Sequence, residues 1–261
     1  MGAPQLIIYD GSFEGFLSAV FHTYEHRLAE VDIQPAIRAQ ATFFGTTTRV
    51  ETNVGHAGRV WHGITKKVEA AGAHILYRTF LSERAGVENL LLDRIRDIFA
   101  VGNKNSGNFS DATVLEIAKI NKMVGREKHR MEAFVRFKLT KDGIYFAVIE
   151  PDFNVLPLIA EHFRSRYADQ KWLIYDTKRG IGLYYDLDTM SEITMRLSGA
   201  ALRPSAESTV YTSEELEYQQ LWSTYFESTN IASRRNMKLH KRHIPQRYWK
   251  YLSEKSLQLK K

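Results

Sequence analysis

The chain opens on a short apolar run, Leu6-Ile7-Ile8-Tyr9, that stops at Asp10-Gly11-Ser12. A run of this length bounded by turn residues predicts a buried strand followed by a turn. Phe16, Leu17, Val20, Phe21 and Tyr24 then recur at helical spacing, with Ser12 placed to cap the helix. Residues 42–50 are rich in Thr and Phe and predict a strand or hairpin. From about 56 to 124 the pattern is mostly helical. Val60, Trp61, Ile64 and Val68 form one stripe, and Leu90, Leu91, Arg94, Ile95 and Ile98 form another. A polar Gly/Asn loop from Gly102 to Asn108 interrupts this stretch.

The pattern changes near Gly125. Over 133–140, Ala133, Val135, Phe137 and Leu139 alternate with Phe134, Arg136 and Lys138, which is the strand period. Asp142-Gly143 supplies a hairpin turn, and a second strand follows over 144–150, ended by Pro151. Residues 155–167 are helical in pattern. Two more strands, 171–175 and 181–185, flank the turn Thr177-Lys178-Arg179-Gly180. The order over about 133–186 is strand–strand–helix–strand–strand. It predicts an antiparallel sheet with helices on one face, hence an α+β class. The organisation that follows is one α+β domain over 1–198, with a helical part at about 55–124 and a sheet part at 125–198. A linker is expected over 199–213 and a basic helical C-terminal segment over 214–261. Ser213 is the expected N-cap of that segment's first helix, and a short helix is expected after Pro245.

Composition narrows the classes. Hydrophobic residues make up 44% and charged residues 25%, which suits a chain that mostly folds. The absence of cysteine excludes disulfides, thiolate zinc sites, iron–sulfur clusters and a cysteine nucleophile in this chain. The first residues lack the basic and apolar regions of a signal peptide, and no run approaches a membrane span. The expectation is a cytoplasmic protein with no membrane partner.

Charge is unevenly spread. From residue 230 onward the chain holds ten of its 36 Lys/Arg and one of its 30 Asp/Glu, so the first 229 residues are net acidic by three. A concentrated field can steer a polyanion onto one face. The tail bases Arg234, Arg235, Lys238, Lys241, Arg242 and Arg247 therefore become candidate phosphate contacts. Tyr248 and Trp249 beside them suit either stacking on a base or packing the segment down.

Several motifs carry chemistry. His22-Thr23-Tyr24-Glu25-His26 spells H-x-x-E-H, a zinc pattern of inverzincin proteases. The two histidines lie on the polar side of the helix and no third ligand emerges from the spacing. The expectation is a solvated helix face with no metal. Phosphate-binding glycine loops and the G-x-S-x-G elbow are missing. The run Gly125 to Phe137 instead packs Arg126, Lys128, His129, Arg130 and Arg136 among aromatic residues, a mixture suited to phosphates and stacked bases. His162 and Arg166 fall on the apolar stripe of Val155, Leu158, Ile159 and Phe163. A polar group there needs a partner, either a carbonyl or Asp176 as a core bond, or a cleft near Glu150 and Asp152. His129, Glu132, Glu150, Asp152, His162 and Asp176 are the candidates for acid–base chemistry.

These stretches, together with Tyr9 to Phe16, Glu150-Pro151, Trp172 to Asp176, Arg179, Leu221 to Phe226, Asn230 to Asn236 and Ile244 to Trp249, resemble a bacterial family of DNA metabolism or repair proteins. Its members are typically encoded beside a radical-SAM protein assigned to DNA repair or modification. In some bacteria the domain is fused to a uracil-DNA-glycosylase-like domain. The resemblance is carried by Arg126, His129, Arg130, Arg136, His162, Arg166, Trp172, Asp176 and Arg179, then by Trp222, Arg234, Asn236, Pro245, Tyr248 and Trp249. His22 and His26 lie outside it. It implies a radical-SAM protein as partner; DNA is the other expected partner, and no cofactor is expected in this chain. The leading expectation is a DNA-binding accessory protein of a repair or modification system. A nuclease or lyase using the His/carboxylate set is the first alternative. A scaffold docking its partner through Trp222, Tyr225 and Phe226 is the second.

Overall fold

The computed structural model describes residues 5–40, 46–101, 111–194, 210–215, 217, 218, 221 and 243–256. The chain divides into two compact units, Met1–Gly125 and Arg126–Lys261.

The first unit is built on β1 (Gln5–Tyr9), which lies between β2 (Val31–Pro35) and β3 (Thr47–Arg49) and pairs with both in parallel. Leu6, Ile7 and Tyr9 are buried, as expected for the central strand of a parallel sheet. Helix α1 (Phe13–Glu25) connects β1 to β2. The predicted cap is present, with Ser12 Oγ accepting from the Gly15 amide at 2.9 Å. Three helices follow, α2 (Val54–Lys67), α3 (Ala70–Phe80) and α4 (Val87–Val101). Phe13 binds α1 to two of them through ring contacts with Trp61 at 5.3 Å, Tyr77 at 4.9 Å and Phe80 at 5.1 Å. Buried Glu88 accepts from the Tyr9 hydroxyl and from Arg38. Its burial raises its pKa and Arg38 opposes the rise.

Helix α5 (Ala112–Phe134) runs across the division between the units. It extends through residues read from sequence as the start of a strand, and only Lys138–Leu139 form β4. Val124, Glu127 and Met131 are buried at helical spacing, and the helix formers Arg126, Lys128 and Arg130 lie between them. That longer helical pattern overrides the short alternation starting at Ala133.

The second unit carries β4, β5 (Tyr145–Ile149), α6 (Leu156–Arg166), β6 (Trp172–Asp176), β7 (Ile181–Tyr185) and β8 (Met190–Thr194). The sheet order is β4-β5-β6-β7-β8. The predicted sequence of elements holds, but the sheet is mixed rather than antiparallel. β5 and β6 are parallel while the other three pairs are antiparallel. The cause is α6, which returns the chain to the same end of the sheet so that two adjacent strands point the same way. Gly143, at the predicted hairpin turn, has φ 74°, the left-handed region glycine tolerates best.

Of the expected linker, residues 210–213 are described. Tyr211 bridges Thr140 and is buried. Thr212, not Ser213, accepts from the Glu215 amide at 3.2 Å and so caps the helical residues 213–215. A 3-10 helix (Gln246–Tyr251) follows Pro245 as expected, and α7 (Ser253–Ser256) comes after it. Among the described residues, no helix is long and apolar enough to cross a membrane.

Candidate nucleic-acid interface and adjoining cleft

Within 126–132 the charged residues of α5 separate by sign. Arg126 and His129 are exposed, the latter at 86%. Lys128 and Arg130 flank them, each about one third exposed at 30%. The two acids turn inward, Glu127 at 1% and Glu132 at 16% exposure. Helical spacing does this, because Glu127 and Met131 are one turn apart on the buried face while Arg126 and His129 fall opposite. Lys128 pairs with Glu132 at 2.7 Å, and His129 Nδ1 lies 3.8 Å from the same carboxylate.

Glu127 is the centre of a buried polar network. It accepts from the Tyr248 hydroxyl and from the Asp152 amide at 2.9 Å, and it faces Arg130 and Arg247 at 3.4 Å each. Arg247 reaches Asp152 at 2.6 Å and its guanidinium lies 4.5 Å from the Tyr248 ring centroid. Burial, with the Glu127 hydrogen bond, pushes the Tyr248 hydroxyl well above its ordinary pKa. A charged acceptor at 1% exposure needs this many donors to offset its lost hydration.

A second buried acid organises the neighbouring turn. Asp176, fully buried at the end of β6, accepts from the amides of Lys178 and Arg179 and from Arg179 Nη1 at 2.7 Å. Burial raises its pKa and Arg179 opposes the rise. Arg179 also donates to the carbonyls of Pro151 and Asp152, linking the β6–β7 turn to the segment after β5. Lys178 Nζ joins the same segment, 2.8 Å from the Asp152 carbonyl.

A cleft of about 460 Å³ is bordered by Glu150, Asp152, Lys178, Gln246, Arg247 and Lys250. It sits outside the carboxyl ends of β5 and β6, the parallel pair, which is where ligands bind in sheets with parallel strands. Glu150 on its rim receives Lys250 and the Tyr251 hydroxyl. Those two hydrogen bonds, Lys250 foremost, hold its carboxyl below the ordinary range.

The sequence candidates are distributed as follows. Glu150, Asp152 and Arg247 meet at the cleft. His129 and Glu132 stand together on α5. Arg136 donates to the Ala133 and Val135 carbonyls and closes the end of that helix. Asp176 and Arg179 pair with each other below the turn. His162 is exposed, not on the buried stripe, because Leu156, Ile159 and Phe163 alone make that stripe and His162 falls on its flank. Arg166 is likewise exposed, its guanidinium 5.8 Å from the Tyr167 ring centroid. Neither His129 nor His162 borders the cleft.

The tail departs from the simplest expectation. Tyr248 and Trp249 are buried at 2% and 5%, so they pack the segment down. Arg247 and Lys250 face carboxylates of the same unit, and buried Lys255 lies 5.7 Å from the Trp249 ring centroid. Arg234, Arg235, Lys238, Lys241 and Arg242 lie outside the described residues. So do Trp222, Tyr225 and Phe226. Sequence reasoning missed Glu127, Lys178, Lys250 and Tyr251. Glu127 did leave a signal, as an acid at helical spacing between apolar Val124 and Met131.

A family model described as a domain of unknown function, DUF4130, matches residues 85–254. The chain belongs to the DUF4130 family. Every residue of the cleft and of the α5 surface falls within the DUF4130 match. No curated protein matches the chain. Among solved structures, a pGpG-specific phosphodiesterase, PggH from Vibrio cholerae, is similar at 11% identity and TM-score 0.35, over 70% of this chain and 81% of that one. A likeness that low carries no argument about activity.

Histidines gather elsewhere as well. In the last turn of α1, outside the DUF4130 match, ligand atoms of His22, Glu25 and His26 all lie within 4.8 Å of one another.

Proposed function

We propose that this DUF4130 protein is a DNA-binding accessory protein of a repair or modification system, acting with a radical-SAM partner. The observation that supports it best is the separation of charge on α5. Arg126 and His129 face solvent while Glu127 and Glu132 of the same turns are withdrawn. A helix face kept only for solubility gains nothing from hiding its acids. A face that meets phosphates does, because exposed carboxylates would repel them. The buried Glu127 also fixes Arg130 and Arg247, so part of the cationic surface is held in place before any ligand arrives. The radical-SAM partner rests on the family resemblance of the sequence alone.

The test is a gel shift with the isolated chain and labelled duplex and single-stranded DNA, followed by co-purification with the candidate partner. Retarded DNA that is released by Arg126→Ala supports the reading. A chain that shifts no DNA by itself but still co-purifies with the partner supports the scaffold instead.

A DNA-processing enzyme is the second reading, favoured by the location of Glu150 and Asp152 in a cleft at the ends of parallel strands. Strand cleavage lost in Asp152→Asn, with DNA binding retained, would support it over the accessory role.

A further inference from the structure

The last turn of α1 holds a set of donors that neither the resemblance nor the DNA-binding role uses. His22 and His26 are one turn apart on one helix face, their ring centroids 4.1 Å apart. One ligand atom from each of His22, Glu25 and His26 fits within 4.8 Å of the others. A tetrahedral ion with ligand distances of about 2.1 Å needs its ligands about 3.4 Å apart, so small side-chain rotations close the set. Glu25 and His26 have the freedom to make them, each with a side chain 52% exposed.

The backbone around the set is fixed. The helix ends at His26, and Arg27 follows in the left-handed region at φ 53°. The Leu28 amide donates to the Thr23 carbonyl and the Arg27 amide to the Tyr24 carbonyl, closing the turn. His26 Nδ1 lies 3.1 Å from the His22 carbonyl oxygen. A carbonyl only accepts, so Nδ1 carries a hydrogen in this contact and Nε2 is the nitrogen left to face a ligand. That is the arrangement by which a ligating imidazole is usually oriented, its second nitrogen donating to an oxygen. The negative end of the helix dipole at this C-terminus adds a partial charge that favours a cation there.

We propose that His22, Glu25 and His26 bind one divalent transition-metal ion of the zinc class. Two imidazoles and one carboxylate select zinc, nickel or copper over magnesium and calcium, which prefer all-oxygen sites. The exposure of the set leaves at least one coordination position to water or to a group from outside.

The experiment uses the full, untagged chain stripped with a chelator. Zinc is titrated by calorimetry, and cobalt is added in parallel to read the visible absorption of a tetrahedral site. The expected result is one zinc per chain. Binding falls at least tenfold in His22→Ala and in His26→Ala, falls less in Glu25→Gln, and is unchanged in the control His62→Ala. Magnesium gives no heat. Circular dichroism of each variant verifies the fold. Equal zinc binding by the wild type and the His22→Ala/His26→Ala double variant would overturn the assignment, as would no zinc binding at micromolar concentrations.

Discussion

The Tyr248 hydroxyl donates to the Glu127 carboxylate, 121 residues earlier in the chain, and this bond ties the C-terminal 3-10 helix to α5. The same carboxylate holds Arg130 and Arg247. One buried acid therefore both anchors the tail and orients two of the unit's cations.

Removing the donor should cost stability. Tyr248→Phe keeps the ring packed against Phe134 and deletes only the hydroxyl. A hydrogen bond to a charged group contributes about 1.5–3 kcal/mol, and Glu127 keeps its other donors, so about 1–2 kcal/mol is expected. Urea unfolding followed by tryptophan fluorescence measures it. An unchanged midpoint would mean the tail is not held by this bond.

Gly15 is a packing requirement. A Cβ there would come 2.2 Å from Asp10 Oδ1, and that carboxylate is held by Ser12 through Oδ1 and by Thr52 through Oδ2. Gly15→Ala should lower stability by about 1–3 kcal/mol, through displaced side chains and a weakened cap. Thermal melts of the two proteins decide it, and an unaltered melting temperature contradicts the contact.

The Glu150 rim should respond to acid. Its pKa is held below the ordinary 4.5 by Lys250 and then Tyr251. A depressed carboxylate contributes stability that is present above the unfolded pKa and lost as pH falls through the folded one. Glu150 is 41% exposed, so the contribution is screened and about 1 kcal/mol or less. Wild type and Glu150→Gln should differ in stability at pH 6–7 and converge below about pH 4. A difference that grows on acidification would reverse the sign and refute the assignment.

Much of the fold was legible because burial is periodic. β1, α1, α6, β7 and the hairpin turn at Gly143 all announce themselves by apolar spacing and turn residues. β2 and β8 do not. The first offers only a brief alternation, Val31 to Gln34, ended by Pro35, and the second is an edge strand with mostly exposed positions. The parallel pairing of β5 and β6 follows from α6 between them, a topological inference that alternation alone does not supply. At the site, Arg126 to Arg130 and the pair Glu150/Asp152 were readable from charge and position. The role of Glu127 was hidden, since a lone acid among bases looks like solvated charge until the helix turns it inward. His162 misled because a residue on the flank of an apolar stripe shares its spacing without its burial.

The central claim is that this chain grips DNA through exposed bases, and salt dependence tests it most directly. Fluorescence anisotropy of a labelled duplex is measured between 50 and 200 mM salt for wild type, Arg126→Ala and the tail variant Arg234→Ala/Arg235→Ala. Each phosphate contact contributes about 0.9 to the slope of log K against log salt. The expected result is a linear fall for the wild type, with a slope reduced by about 1 in Arg126→Ala and further reduced in the tail variant. No measurable binding at low salt, or one slope shared by all three proteins, would contradict it.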